Sequence, residues 1–333
     1  MKSILFICNY KSGGGISVQV DLLKKNLIKD NYIAEIFSTK ASAWRRLLML
    51  FTLYRTAKTY DILHIHCCSG WGFFPAVLGV VVGRRLGKRI ILSYHGGDAV
   101  AFFAKYPKFV KYWLKRTDVN IALSGYIGKE FEKIGVPYKI IPNILEFDNS
   151  NYRERTVIHP RFICTRAHEE LYNIPCILRA FQTVQTQQPG ASLVLVGDGS
   201  QHILLVEMVK TMGLKNVEFS GQVDNTKIYE YLNNADILLS TPRIDNMPVS
   251  ILEAMNAGLL VISTRVGGIP YIIEEGKTGL LFDENDDNAL AMLMYWVISH
   301  QQDSIQIIHN AKQDVSKYNW EEIDDKIKMI YAV

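Results

Sequence analysis

No apolar run in this 333-residue chain is long enough to cross a bilayer. The longest, such as 76–82 and 259–262, fall far short of the ~18–20 residues a spanning helix needs, so no transmembrane segment is expected. Cysteine is also scarce. Cys8, Cys67, Cys68, Cys164 and Cys176 are five, an odd number without a C-x-x-C pair, which excludes a disulfide scaffold and a zinc ribbon. A reducing cytoplasm is the simplest setting. The N-terminus offers one Lys and only five apolar residues in a row before polar and glycine residues begin, too little for a secretory signal. It reads as a first buried strand.

What is present is the material of a globular protein: 48% apolar residues and 21% charged. At about 150 residues per domain the length predicts two domains, each able to bury its own core. The net charge of +4 hides an asymmetry. Residues 1–150 carry 22 Lys and Arg against 10 Asp and Glu, while 151–333 carry 15 against 23. Such a split suggests that the first half faces something anionic.

Short β-branched runs ending in small or polar residues alternate with segments of helical period. Strands are expected at 4–8, 33–38, 62–66, 89–93, 120–124 and 138–141, with helices among them at 16–29, 44–60 and 73–86. Runs that are apolar throughout, bridged by helices, mean a parallel sheet covered on both faces. The polar stretch 146–156 lacks apolar periodicity and reads as a linker. The alternation restarts with strands expected at 161–165, 192–196, 217–220, 237–240 and 259–263, and helices at 174–187 and 249–257. The expected class is α/β, with two Rossmann-like doubly wound domains, 1–150 and 151–315, facing across a cleft at the carboxyl ends of their strands.

Chemistry is expected in the loops that follow strands. After the first strand, Gly13, Gly14 and Gly15 open a helix. Without Cβ atoms that backbone can approach a ligand closely, and free N–H groups at a helix start suit phosphate. A dinucleotide fingerprint would need glycine where Val18 stands, and a plain tight turn is the alternative. The fourth strand ends in Ser93-Tyr94-His95-Gly96-Gly97-Asp98, which sets an imidazole, or its backbone carbonyl, beside two glycines. Asp245 and Glu253 are two carboxylates eight positions apart. Pro248 suits a first helical turn, so Asp245 falls in the loop before the helix and Glu253 about a turn inside. That helix start would offer N–H groups to a diphosphate while the acids read hydroxyls. An N-capping Asp with a surface Glu is the bland alternative. Gly267-Gly268 offers another backbone of close approach.

Taken in order, several motifs resemble the retaining glycosyltransferases of family 4, which have the GT-B fold. They are G-G-G-I-S at 13–17, H-G-G-D at 95–98, I-P-N at 141–143, a strand running to Arg166, G-D-G at 197–199, G-x-V at 221–223, D-x7-E at 245–253 and G-G at 267–268. The series closes on Tyr318-Asn319-Trp320, covers nearly the whole chain and is most specific across 235–282. The resemblance implies transfer of a sugar from a nucleotide-sugar, UDP-sugar favoured and GDP next, to a glycan or lipid-linked acceptor with retention. Cell-surface polysaccharide synthesis (exopolysaccharide, capsule or lipopolysaccharide) is the implied setting. By the same resemblance Glu253 binds ribose hydroxyls, and Met247, Pro248, Val249 and Ser250 lie against the donor's sugar and phosphates. Gly197, Val223, Gly14 and Gly15 complete the implied donor site. His95, Arg166 and Asp245 are the implied catalytic residues, Gly13, Gly96 and Asp98 lie on the acceptor side, and 316–333 packs back toward the first domain.

Two departures from the family pattern stand out. Asp245, where a Glu is usual, is one methylene shorter. No lysine follows Arg166 at the five- or six-residue spacing where the family places a Lys-Gly, and its two cations neutralise the leaving diphosphate. Either another cation from a folded loop substitutes, such as Arg243 or Arg265, or leaving-group stabilisation is weaker. Preorganised donors around the diphosphate should supply much of the catalysis. Helix N-termini, glycine-loop amides and Arg166 do this without metal, and no D-x-D triad follows a strand, so no metal or other cofactor is expected. His64-Ile65-His66-Cys67-Cys68 has ligand-type residues but no second cluster of zinc-site spacing, and a cleft-lining or structural role is expected.

Cations interleave with aromatics at 44–51 and 105–116, as on surfaces that rest against anionic lipid headgroups. No nucleic-acid motif accompanies the charge, and peripheral attachment to the inner face of the cell membrane is expected. Two other readings stand beside the transferase: an epimerase or phosphorylase on the same fold, needing no glycan acceptor, and a non-catalytic sugar- or nucleotide-binding subunit.

Overall fold

The computed structural model describes residues 2–11, 14–41, 43–146, 151–224 and 227–332. The chain forms two compact units, Met1–Glu146 with Tyr318–Val333, and Phe147–Lys317.

In the first unit, strands β1 (Ser3–Cys8), β2 (Ile33–Ser38), β3 (Ile62–Cys67), β4 (Arg89–Tyr94), β5 (Val119–Ala122) and β6 (Lys139–Ile140) make one sheet in the order β2-β1-β3-β4-β5-β6. Every pairing is parallel. Helices α1 (Gly15–Lys29), α2 (Ala43–Ala57), α3 (Phe74–Leu86), α4 (Ala99–Lys105), α5 (Pro107–Leu114) and α6 (Gly125–Lys133) connect the strands. Successive strand residues point to opposite faces, so β1 feeds two cores. Leu5 and Ile7 pack with Leu63, Ile65, Leu53 and Val80 on one face. Ile4 and Phe6 pack with Val20, Leu27, Ile323 and Ile327 on the other. The C-terminal helix, Trp320–Ala332, thus shares the second face with α1. Lys2 Nζ donates to the Tyr331 and Ala332 carbonyls at 2.8 and 2.7 Å, satisfying oxygens that a helix end leaves without partners.

In the second unit, β7 (Arg161–Cys164), β8 (Ser192–Val196), β9 (Val217–Gly221), β10 (Ile237–Ser240), β11 (Leu260–Thr264) and β12 (Leu280–Phe282) order as β12-β11-β10-β7-β8-β9, again all parallel. Helices α7 (Ile174–Gln187), α8 (His202–Thr211), α9 (Ile228–Asn234), α10 (Val249–Ala257), α11 (Asp287–Ser299) and α12 (Gln301–Val315) surround the sheet. Counted from β7, the order is 3-2-1-4-5-6, and its direction reverses between β7 and β10. Doubly wound sheets bind ligands at that reversal, outside the carboxyl ends of the strands.

Two expectations change. β12 was not expected, because three apolar residues carry too little pattern to separate a strand from a loop. The linker expected at 146–156 is partly core. Arg155 is buried there and reaches the carboxylate of Asp236, itself 0% exposed, together with Arg153 and Arg161.

Candidate active site

In the second unit, the two strands flanking the reversal deliver the site. Arg166 follows β7 and Asp245 follows β10, and their side chains form an ion pair. Arg166 Nη1 also donates to Ser250 Oγ at 3.1 Å, and the guanidinium lies 4.1 Å from the centre of the Tyr172 ring. Burial works against the Arg166 charge, but Asp245 and its other neighbours outweigh it and raise the pKa. Arg166 Nε is buried without a hydrogen-bond partner. Arg243 and Arg265, the cations named for the missing lysine's role, each pair with an exposed carboxylate, Arg243 with Glu284 at 3.0 Å and Arg265 with Glu275 at 2.8 Å.

Helix α10 begins beside this pair. Pro248 occupies its N-cap, one position earlier than the first-turn place expected, and Met247 and Ser250 are buried. Almost every other α10 residue is buried, but Glu253 is only partly so. Its carboxylate makes no hydrogen bond or ion pair with any described residue, and its oxygens are not sealed from solvent. Burial raises its pKa to about 7, with Arg166 pulling the other way. A carboxylate held in an apolar helix without a protein donor is suited to accept hydrogen bonds from a ligand's hydroxyls.

The glycines around this site are also required by packing. A Cβ on Gly267, at φ +56°, would collide with the Asp245 backbone, and one on Gly268 with that of Asn246. Gly268 N donates to the Asp245 carbonyl at 2.9 Å. The close approach is therefore to the protein's own 245–246 loop, which it braces. Gly197, at φ +143°, likewise lies against the Arg166 carbonyl, and Gly199 against that of His168. Val223 is partly exposed, two positions from residues 225–226, which lie outside the description.

In the first unit, His95 follows β4. Its backbone N–H donates to the Cys67 carbonyl at 2.8 Å, and its Nε2 shares a 2.8 Å hydrogen bond with His66 Nδ1. Burial lowers its pKa to about 4, so the ring is neutral near pH 7. Gly96 is required by packing: a Cβ there would stand 2.9 Å from the Ser69 nitrogen and 3.0 Å from Ser69 Oγ. Asp98 is exposed and forms the N-cap position of α4 without a side-chain capping bond. Gly14 closes the turn before α1 with a 2.9 Å bond to the Lys11 carbonyl, whereas Gly15 faces open space. Gly13 lies outside the described residues.

Three features escaped the sequence. Tyr172 supports Arg166 in the segment that lacks the lysine, held by Thr241 Oγ1, which donates to its carbonyl at 2.9 Å. Trp71 is 90% exposed in a single helical turn after β3, Gly70–Phe73. Among the described residues, His168, Asp198 and His202 also bring ligand-type atoms within 4.8 Å of one another, a cluster that no motif spacing announced. There the two imidazoles hydrogen-bond to each other, Nδ1 to Nδ1 at 3.0 Å.

Comparison with known proteins identifies the family. Residues 14–148 match the glycosyltransferase family 4 model and residues 159–314 the glycosyl transferases group 1 model. The chain belongs to glycosyltransferase family 4. It is 25% identical over 287 residues to N-acetyl-alpha-D-glucosaminyl L-malate synthase of Bacillus anthracis, covering 81% of this chain and 74% of that one. It is 24% identical to a putative colanic acid biosynthesis glycosyltransferase of Salmonella typhimurium, covering 74% of this chain and 65% of the relative. Among solved structures, Anabaena HepE in complex with UDP and glucose superposes with a TM-score of 0.82 over 100% of both chains at 18% identity. This likeness shows the GT-B fold of the family 4 glycosyltransferases.

Proposed function

We propose that this glycosyltransferase takes a UDP-sugar in its second unit and transfers the sugar, with retention, to a glycan or lipid-linked acceptor in cell-surface polysaccharide synthesis. The observation that carries the reading is Glu253, a partly reachable carboxylate without a protein partner, on the helix that starts at the reversal of a 3-2-1-4-5-6 sheet. A ribose supplies the hydroxyl donors it lacks. The first-turn N–H groups of α10 and the Arg166 guanidinium supply positive potential for a diphosphate. Departure of the nucleotide leaves negative charge on that diphosphate, and these donors stabilise it without a metal or other cofactor. HepE was crystallised with UDP and glucose, and the relatives' names place them in glucosaminyl transfer and colanic acid synthesis, which supports the choice of donor and setting.

Thermal melts with a panel of nucleotides and nucleotide-sugars test this. A ligand bound only by the folded chain, at a hundredfold excess over its Kd, adds about 2.7 kcal/mol of stability. UDP and a UDP-sugar should raise Tm more than ADP or CMP. The pH dependence has a definite sign. Because Glu253 holds its proton more tightly folded than unfolded, the ligand-free protein should lose stability as pH rises from the ordinary carboxylate range to about 7, then level off. Ribose hydroxyls favour the ionised form, so UDP affinity should rise over the same window. Glu253→Gln should flatten both trends, and unchanged UDP binding in that variant would refute the ribose role.

The membrane part of the reading rests on the first unit. Along α4 and α5, Tyr106, Phe109 and Tyr112 are exposed beside Lys105, Lys108 and Lys111, while Val110 and Leu114 anchor α5 in the core. The side chains of Trp44, Arg45, Arg46 and Leu47 lie outside the described residues. Sedimentation with anionic liposomes at low salt should carry the protein down, and high salt should release it. Equal sedimentation with neutral liposomes would overturn the electrostatic attachment.

A further inference from the structure

His66 stands between two other imidazoles. Its ring centroid is 4.3 Å from that of His64 and 5.0 Å from that of His95, the latter pair stacked within 30°. Alternate residues of β3 share a face, so His64 and His66 project together, and the parallel register sets His66 opposite Ser93, two residues before His95. Phe6 of β1 packs against both rings of β3, at 5.4 and 5.7 Å.

Hydrogen bonding around His64 is complete. The Tyr331 hydroxyl meets its Nδ1 at 2.6 Å and Ser93 Oγ meets its Nε2 at 2.8 Å. His66 is different: Nδ1 meets His95 Nε2 at 2.8 Å, while its own Nε2 is buried without any partner. A neutral imidazole carries one hydrogen, on either nitrogen. Placing it on Nε2 would bury an unpaired N–H, and orphaned donors are rarer in proteins than under-used acceptors. Placing it on Nδ1 makes it the donor to His95.

We propose that His66 is a positioning residue: it donates from Nδ1 to Nε2 of His95, which fixes the His95 imidazole as its Nδ1–H tautomer and leaves that N–H to donate to an oxygen of the substrate. No described residue hydrogen-bonds His95 Nδ1. Burial lowers the pKa of all three imidazoles, that of His64 to about 3, so the pair has no proton to spare near neutral pH. The cavity of about 20 Å³ beside them is lined by Gln19, Ser93 and Asn143 among its polar residues and by no carboxylate, Lys or Arg. Tyr331, on the C-terminal helix, is a further titratable group at this cluster, with Tyr32 packed against it, and burial raises the pKa of Tyr331. In this arrangement His95 works as a neutral hydrogen-bond donor rather than as an acid or base. The inference rests on His95 being a substrate-contacting residue, as read above.

Long-range proton–nitrogen NMR of the full chain labelled at histidine reads the tautomers without any substrate. The wild type should show His95 protonated on Nδ1 and His66 also on Nδ1. Finding His95 protonated on Nε2 would overturn the proposal. His66→Phe keeps the ring and removes the donor. It should shift His95 toward the Nε2–H form and lower kcat about tenfold, the cost of one hydrogen bond at the transition state, with the donor KM little changed. His66→Asn places an amide N–H near the former Nδ1 and should restore most of the loss. Unchanged kcat and an unchanged His95 tautomer in His66→Phe would sink the idea. A wild-type protein that shows the expected tautomers yet turns over no nucleotide-sugar would instead refute the functional reading.

Discussion

Replacing Asp236 by alanine should destabilise the second unit by about 3–5 kcal/mol, a large share of the ~5–15 kcal/mol that holds an ordinary protein folded. The carboxylate is fully buried and is the common partner of Arg153, Arg155 and Arg161, and it also accepts from the His159 N–H at 3.1 Å. Arg155 is the cation that cannot escape: its side chain is 1% exposed, and its other donors go to the carbonyls of Leu232, Ala235, Ala257 and Gly258. Burial pulls its pKa down to about 10, so it stays charged near pH 7. Removing Asp236 therefore strands a buried cation. Arg161→Ala is the control: its side chain is 39% exposed, and its loss should cost about 1 kcal/mol or less because water screens the pair. Calorimetric melts of both variants decide the matter. Equal effects would mean that Asp236 acts only as a polar core residue.

That cluster also marks a limit of sequence reading. The strand segments stood out because each is a short β-branched run: β8, β10 and β2 occupy the expected residues, β1, β3, β4, β7 and β9 differ from expectation by one residue at one end, and β11 by one at each end. The segment around Arg153 and Arg155 reads as a linker because polarity alone cannot separate a solvated loop from a buried ion cluster whose counter-charge, Asp236, lies some 80 positions away. The glycine loops were legible as places of close approach, but not what approaches. On the Cβ side of Gly197, Gly267 and Gly268 it is the chain's own backbone. The bond from His66 to His95 was hidden for a related reason. It depends on the β3–β4 register and on a fully buried ring, neither of which leaves a periodic trace.

Arg166→Ala should lower turnover about 100- to 1000-fold, the usual loss when a preorganised donor to developing negative charge is removed. Its charge is committed to Asp245 and its plane to Tyr172. Both contacts hold the guanidinium ready without satisfying all of it, since Nε is buried and unpartnered. A diphosphate must therefore compete with Asp245 for one arm of the cation, and the contact raises kcat only to the extent that the diphosphate holds Arg166 more strongly at the transition state than in the bound ground state. This gives Asp245 a role despite its shorter side chain: it orients Arg166 from the loop braced by Gly267 and Gly268. Arg166→Lys keeps the charge but cannot span Asp245, Ser250 and the leaving group together, so it should recover only part of the loss. Asp245→Asn should free Arg166, tighten nucleoside diphosphate binding and still lower kcat, because a loosely held cation must be reoriented at the moment of reaction. Turnover in Arg166→Ala equal to wild type, with the fold intact by melting, would mean that the leaving group is stabilised elsewhere, and the first-turn N–H groups of α10 would then have to carry that charge alone.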